Sequence, residues 1–215
     1  MDSLFANRDV TADWHVAQAR CLLDLALTDG SATALIYAAL EARNALERLP
    51  FEMSVLATGG RFTPEQLRMA QRKDGVFQLL DQALEDYRRH IEFQNMCMEV
   101  DAIPFRFPVP DIRRCRRLRT DLNPYCHCQL DPQETIRDLA GEWFVSGAAI
   151  VAETCDFLEP LLSGPRGVLH RDTMPVEVAE IFDAYLAGNI DATAVRTRLE
   201  LIQPVLAERL RKQGY

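Results

Sequence analysis

The stretch SATALIYAALEARNALERLPFEMSVL, residues 31–56, decides the fold class. Leu35, Ala39, Ala42, Leu46 and Leu49 recur at helical spacing, and Ile36, Ala38 and Leu40 widen the apolar stripe. Only Glu41, Asn44, Glu47 and Arg48 are left for a wet face. A helix this apolar belongs at the centre of a bundle, where its alanines let neighbouring helices come close. Pro50 has no amide hydrogen and its ring collides with the preceding turn, so it is expected to bend or break the helix before Phe51.

Upstream, Thr11 or Asp9 can cap a first helix with Trp14, Ala17, Cys21 and Leu25 on one face, stopped at Thr28-Asp29-Gly30-Ser31. Downstream, Thr63-Pro64-Glu65-Gln66 combines a cap, a first-turn proline and a capping-box glutamine. A break at Asp74-Gly75 precedes one stripe through Phe77, Leu80, Leu84, Tyr87 and Ile91. The segment AIPFRFPVPD, residues 102–111, reads as extended chain laid over the core. A short basic helix then runs into a turn at Asn123-Pro124, and Asp131-Pro132-Gln133-Glu134 opens a long helix with Ile136, Leu139, Trp143, Gly147, Ile150, Thr154 and Leu158 inward. The last pair places Val178, Ile181, Phe182 and Tyr185 inward on one helix and Val195, Leu199, Ile202 and Leu206 on the next, with a kink at Pro204.

No stretch alternates with the period of a strand, so the expected fold is an all-α bundle of roughly six or seven helices. Leu35, Leu40, Leu46, Leu84, Trp143, Ile150 and Leu158 are expected to share one core. Residues 1–162 read as the bundle and residues 163–215 as a carboxyl-terminal helical pair packed on the same core. The 215 residues suffice for that core without a disulfide or a metal. Lys plus Arg number 24 against 32 Asp plus Glu, a net charge of −8, which argues against a chain that coats nucleic acid or an anionic membrane with its whole surface. The amino terminus lacks an apolar leader core and no run of about 18 apolar residues occurs, so a cytoplasmic protein off the membrane is expected. Three of the 6 cysteines sit in helical apolar patterns, as reduced thiols do.

Chemistry concentrates between Arg113 and Cys128. Arg113, Arg114, Arg116, Arg117 and Arg119 precede Tyr125, Cys126, His127 and Cys128. Planar guanidinium forks suit phosphate oxygens and a tyrosine ring can stack on a base; equally, in an acidic chain, the arginines can pair with Asp and Glu of neighbouring helices. Cys115, Cys126, His127 and Cys128 have the donor atoms of a zinc site. Three of them crowd into one tripeptide, so no second knuckle exists and no metal or other cofactor is expected. Glu-x-x-His pairs, phosphate-binding glycine loops and the common hydrolase signatures are absent.

With YAALEARNALE (Tyr37 to Glu47) on the second helix and LNPYCH (Leu122 to His127) after the third long helix, the chain resembles the HEPN superfamily of helical bundles over about its first 160 residues. Many members are metal-independent ribonucleases of toxin–antitoxin or abortive-infection systems, with an Arg followed by four to six residues and then a His, brought to a dimer cleft. The resemblance implies a homodimer, with RNA, a nucleotide or an antitoxin protein as partner, His127 as the proton-transfer group and Arg119 as its cationic companion. Here seven residues separate Arg119 from His127 and Pro124 lies between them; Arg8 and His15 meet the spacing, but on the first helix. A non-catalytic interaction or nucleotide- or RNA-binding module is therefore expected ahead of a ribonuclease, with Arg113, Arg114, Arg116, Arg117 and Tyr125 as its binding surface.

Overall fold

A computed structural model describes residues 11–58, 60–72, 74–83, 86–126, 141–163 and 171–212. Among the described residues the helices are α1 (Ala12–Asp29), α2 (Ala32–Thr58), α3 (Pro64–Ala70), α4 (Gly75–Ala83), α5 (Tyr87–Val100), α6 (Ile112–Cys126), α7 (Glu142–Leu162), α8 (Val176–Leu186) and α9 (Ala192–Lys212), with a 3-10 turn at Arg171–Thr173. No strand occurs among the described residues, and the all-α expectation holds. The helix count exceeds six or seven: besides the expected break at Asp74-Gly75, the stripe from Phe77 to Ile91 is divided between two helices, with Asp86 at the start of the second. Asp74 takes a left-handed φ of 61°; Asp86 caps α5 by accepting from the Arg89 amide at 3.1 Å. The long helix expected from Asp131 to Leu158 does not run unbroken: it starts at Glu142 behind Gly141, whose ψ of 157° is extended. Its expected opening at Asp131 lies outside the described residues, as do Leu84, His127, Cys128, Ile136 and Leu139.

The chain divides into two compact units that interleave in sequence. The first comprises Met1–Glu52, Thr63–Leu79 and Asp111–Gly164; the second comprises Met53–Phe62, Leu80–Pro110 and Pro165–Tyr215. In the first unit α7 packs on both α1 and α6. The buried face of α1 is Ala12, Val16, Ala19, Leu23 and Ala26. The expected face of Trp14, Ala17, Cys21 and Leu25 is instead turned outward, Trp14 being 44% and Leu25 46% exposed. The reason is size: alanines at positions 12, 19 and 26 recur every seven residues and form a thin seam against which a second backbone can close.

Helix α7 is selected the same way. Its buried residues are Phe144, Gly147, Ala148, Val151, Thr154, Cys155, Leu158 and Leu162, whereas Trp143 and Ile150 are only half-buried. Leu35, Leu46 and Leu158 take the core places expected of them; Leu40 is 39% exposed. A Cβ added at Gly147 would lie 2.8 Å from Tyr125 Cδ1 and 3.2 Å from Leu35 Cδ2, closer than a real methyl tolerates. Gly147→Ala should therefore destabilise the protein by about 1–3 kcal/mol in urea denaturation, because overpacking a filled site displaces its neighbours. An unchanged midpoint would show that Tyr125 yields freely.

Helix α2 does not break at Pro50 but runs on to Thr58. Proline in a helix interior costs about 3 kcal/mol, while full burial of each large apolar side chain returns about 1.5–3 kcal/mol. Leu46, Leu49 and Met53 are all buried on either side of it, which outweighs the lost hydrogen bond. Pro124 likewise lies within the last turn of α6, where the expected turn at Asn123-Pro124 is absent, and Pro204 lies within α9. The local signal at Thr63 is met in full: its hydroxyl accepts from the Gln66 amide at 3.2 Å, and its own amide donates to Gln66 Oε1 at 2.9 Å.

In the second unit α5, α8 and α9 pack on one another around Phe93, Met96, Val178, Ile181, Phe182, Tyr185, Val195 and Leu199. Phe93 and Phe182 meet edge to face at 5.1 Å. The Arg89 guanidinium lies over the Tyr185 ring at 4.4 Å and donates to the carbonyls of Tyr185 and Leu186, satisfying the carbonyl end of α8. The proline-rich segment is extended as expected and is fastened to α5. Asn95 donates to the Phe107 carbonyl at 2.9 Å and accepts from the Phe107 amide at 2.7 Å, and the Tyr87 hydroxyl donates to the Pro110 carbonyl at 3.0 Å.

Candidate functional site

Asp111 starts α6 by accepting from the amides of Arg113 and Arg114 at 3.0 and 3.1 Å. Ile112, Cys115, Leu118, Arg119 and Leu122 then face inward, which sorts the five arginines between two environments. Arg113, Arg116 and Arg117 share one exposed face with Thr120. Arg119 is turned into the first unit.

The inward arginine is fully engaged at its tip. One terminal nitrogen of Arg119 donates to Glu47 Oε1 at 3.3 Å and the other to Asp74 Oδ1, while its side chain is 9% exposed. Its guanidinium carbon lies 5.5 Å from the centre of the Phe77 ring, and that of Arg116 lies 5.2 Å from the same ring. Both are within cation–π reach. Asp74 reaches Arg119 from the left-handed backbone position that ends the α3–α4 connection, a conformation Asp tolerates better than most residues.

Arg114 and Arg117 converge on Glu153 of α7, at 3.2 and 2.6 Å, and Arg117 also reaches Asp121 at 3.4 Å. The Arg117 guanidinium, and then Arg114, hold the Glu153 carboxyl below its usual range, so this bridge persists below neutral pH. Arg114 also covers the Phe157 ring at 4.7 Å. The guanidinium of Arg113 meets no carboxylate among the described residues. Arg114, Arg117 and Arg119 each meet the expectation that arginines pair within the chain.

The Tyr125 ring is half-buried against Gly147 and lies 5.5 Å from the Trp143 ring. Cys115 is buried and its thiol is pushed up to about 12, chiefly by desolvation; burial also raises Cys126. Both stay protonated at neutral pH. His127 and Cys128 lie outside the described residues, and among the described residues no group of three metal-ligating side chains occurs.

A cavity of about 480 Å³ adjoins the exposed arginine face, lined by Asp74, Gln78, Arg116, Arg119, Thr120 and Asn123. Arg116, Arg119, Thr120 and Asn123 stand three, four and seven residues apart, one helix face, so this part is open to reading from spacing alone. Gln78 and Asp74 come from the α3–α4 region, and no local signal joins them to α6. Elsewhere in the first unit His15 Nδ1 lies 2.6 Å from Glu41 Oε2, tying α1 to α2 beside a second cavity of about 480 Å³ lined in part by Asn44, Glu47, Arg48 and Phe51. Arg8 is outside the described residues. No helix among the described residues is long and apolar enough to cross a membrane. No family model matches the chain, and no curated protein or solved structure matches it either.

Proposed function

We propose that the chain is a non-catalytic HEPN-like module that binds RNA or a nucleotide phosphate through the exposed face of α6, as a homodimer. The observation that carries this reading is the shared outward face of Arg113, Arg116 and Arg117, the last of them bridged to Glu153, in a chain of net charge −8, next to a polar cavity with hydroxyl and amide donors. Guanidinium forks on one helix face can span successive phosphates, and Thr120 and Asn123 add hydrogen bonds without charge. The homodimer rests on the resemblance of Tyr37–Glu47 and Leu122–His127 to that superfamily. Arg119 favours the non-catalytic reading over the ribonuclease: its tip nitrogens are held by Glu47 and Asp74, which leaves little charge for a phosphorane.

The test is titration of a labelled oligouridine by fluorescence anisotropy across a salt series. Binding should weaken with salt, and Arg113→Ala with Arg116→Ala should lower the log–log slope by about 0.7 for each phosphate no longer neutralised. The RNA should remain intact. Binding without salt dependence, or a slope unmoved by the double substitution, overturns the α6 surface; cleavage that His127→Ala abolishes overturns the non-catalytic reading in favour of the ribonuclease.

A further inference from the structure

The second unit contains a cavity of about 510 Å³ whose origin is a mismatch of helix lengths. Helix α9 has 21 residues against 14 in α5 and 11 in α8, so its apolar stripe outruns the helices that cover it. Val195 and Leu199 on that stripe are buried, whereas Ile202 and Leu206, further along, are only half-covered and line the cavity. Cys97, Val100, Met174 and Val178 complete an apolar wall. The Cys97 thiol is pushed up to about 12 by burial, so this wall carries no charge at neutral pH. The volume falls within the roughly 300–1,000 Å³ of small-ligand sites.

At the mouth, Gln203 and Asp101 present acceptors beside the Thr173 hydroxyl and the Arg209 guanidinium. Gln203 uses its amide hydrogens on the Val100 carbonyl at 3.1 Å and on Asp101 Oδ1 at 3.3 Å, which leaves its own oxygen and the remaining lone pairs of Asp101 as acceptors. Asp101 meets no cation among the described residues. The cation on the lining, Arg209, is held by Glu177 at 2.7 and 3.4 Å and is neutralised there. The carbonyl end of α5, which closes at Val100 and Asp101, adds the negative pole of a helix at the same edge.

We propose that this cavity binds a small amphipathic primary amine, its alkyl or arylalkyl tail against Ile202, Leu206 and Val178 and its ammonium on Asp101 and the Gln203 oxygen. An ammonium supplies three donors to the acceptors of Asp101 and Gln203 and the charge that Asp101 lacks, whereas a carboxylate head beside Asp101 meets like charge. The site is separate from α6 and does not depend on the reading of that helix.

Calorimetric titration of the full chain with decylamine, decanol and decanoate tests this. One decylamine per chain should bind saturably, at least about tenfold tighter than decanoate, the worth of one charge-assisted hydrogen bond. Asp101→Asn, at an exposed position, should remove that preference while keeping binding of the tail. Ala207→Trp, on the cavity lining, should block all three ligands in a chain whose circular dichroism is unchanged. Should that variant fail to fold, the Asp101→Asn result decides alone. Absence of saturable decylamine binding, equal affinity for amine and carboxylate, or a concentration-dependent mass showing a second copy seated over the cavity overturns the proposal.

Discussion

Truncating Leu46 to Ala lowers the unfolding free energy by about 2–5 kcal/mol. The side chain is wholly buried near the middle of α2, with Ala42, Ala45 and Leu49 also buried on that helix. Alanine neighbours have no side chain with which to reach into the vacated space, so the cavity persists and the loss falls toward the upper part of the range. Against a total stability of about 5–15 kcal/mol for a protein of this kind, the change shows directly as a lower urea midpoint with an unaltered slope. Leu40→Ala on the same helix is the control, and at its exposed position it should move stability by no more than about 0.5 kcal/mol. A Leu46→Ala effect that small would place Leu46 on the surface as well.

Phe77→Ala should cost about 3–5 kcal/mol and should also weaken the RNA binding proposed for α6, which would link the core of the first unit to its charged face. The ring is fully buried, and two α6 guanidiniums lie over it, those of Arg116 and Arg119. Removing it opens a cavity and withdraws the surface that holds Arg116 in place. Phe77→Leu separates the two effects. Leucine refills much of the volume, so the stability loss should shrink to about 1.5 kcal/mol or less, while the cation–π support disappears entirely. If the two variants denature at the same urea concentration, ring volume is not what Phe77 contributes.

What the residues make legible is local chemistry. Thr63-Pro64-Glu65-Gln66 specifies its cap within four residues, and the arginines of α6 and the extended prolines after Asp101 are equally local. The partners of those arginines are not. Glu47 lies 72 residues from Arg119, Asp74 lies 45, and Glu153 lies 36 from Arg117. The phase of α1 departs from expectation for a related reason: Trp14 and Leu25 carry the larger hydrophobic area, but the partner helix selects the face that lets it approach, and that face is built from Ala12, Ala19 and Ala26. Hydrophobicity ranks residues one at a time, whereas close helix packing ranks whole faces by shape.

The three-way grip of Arg119 has a consequence for the order in which the molecule can be made. Glu47, Asp74 and Arg119 belong to three separate stretches of chain that form one unit, with stretches of the other unit threaded between them. On a ribosome delivering about 5–20 residues per second, Arg119 follows Glu47 by about 4–14 s. At that point the α1–α2 hairpin still lacks the helix of Gly147, which lies against Leu35, and the second unit waits longer still for α8 and α9. Long sequence separation of this kind raises the entropy of closure and slows folding. The nascent chain thus completes the alanine-lined apolar stripe of α2 well before α7, which meets it at Leu35, has been synthesised.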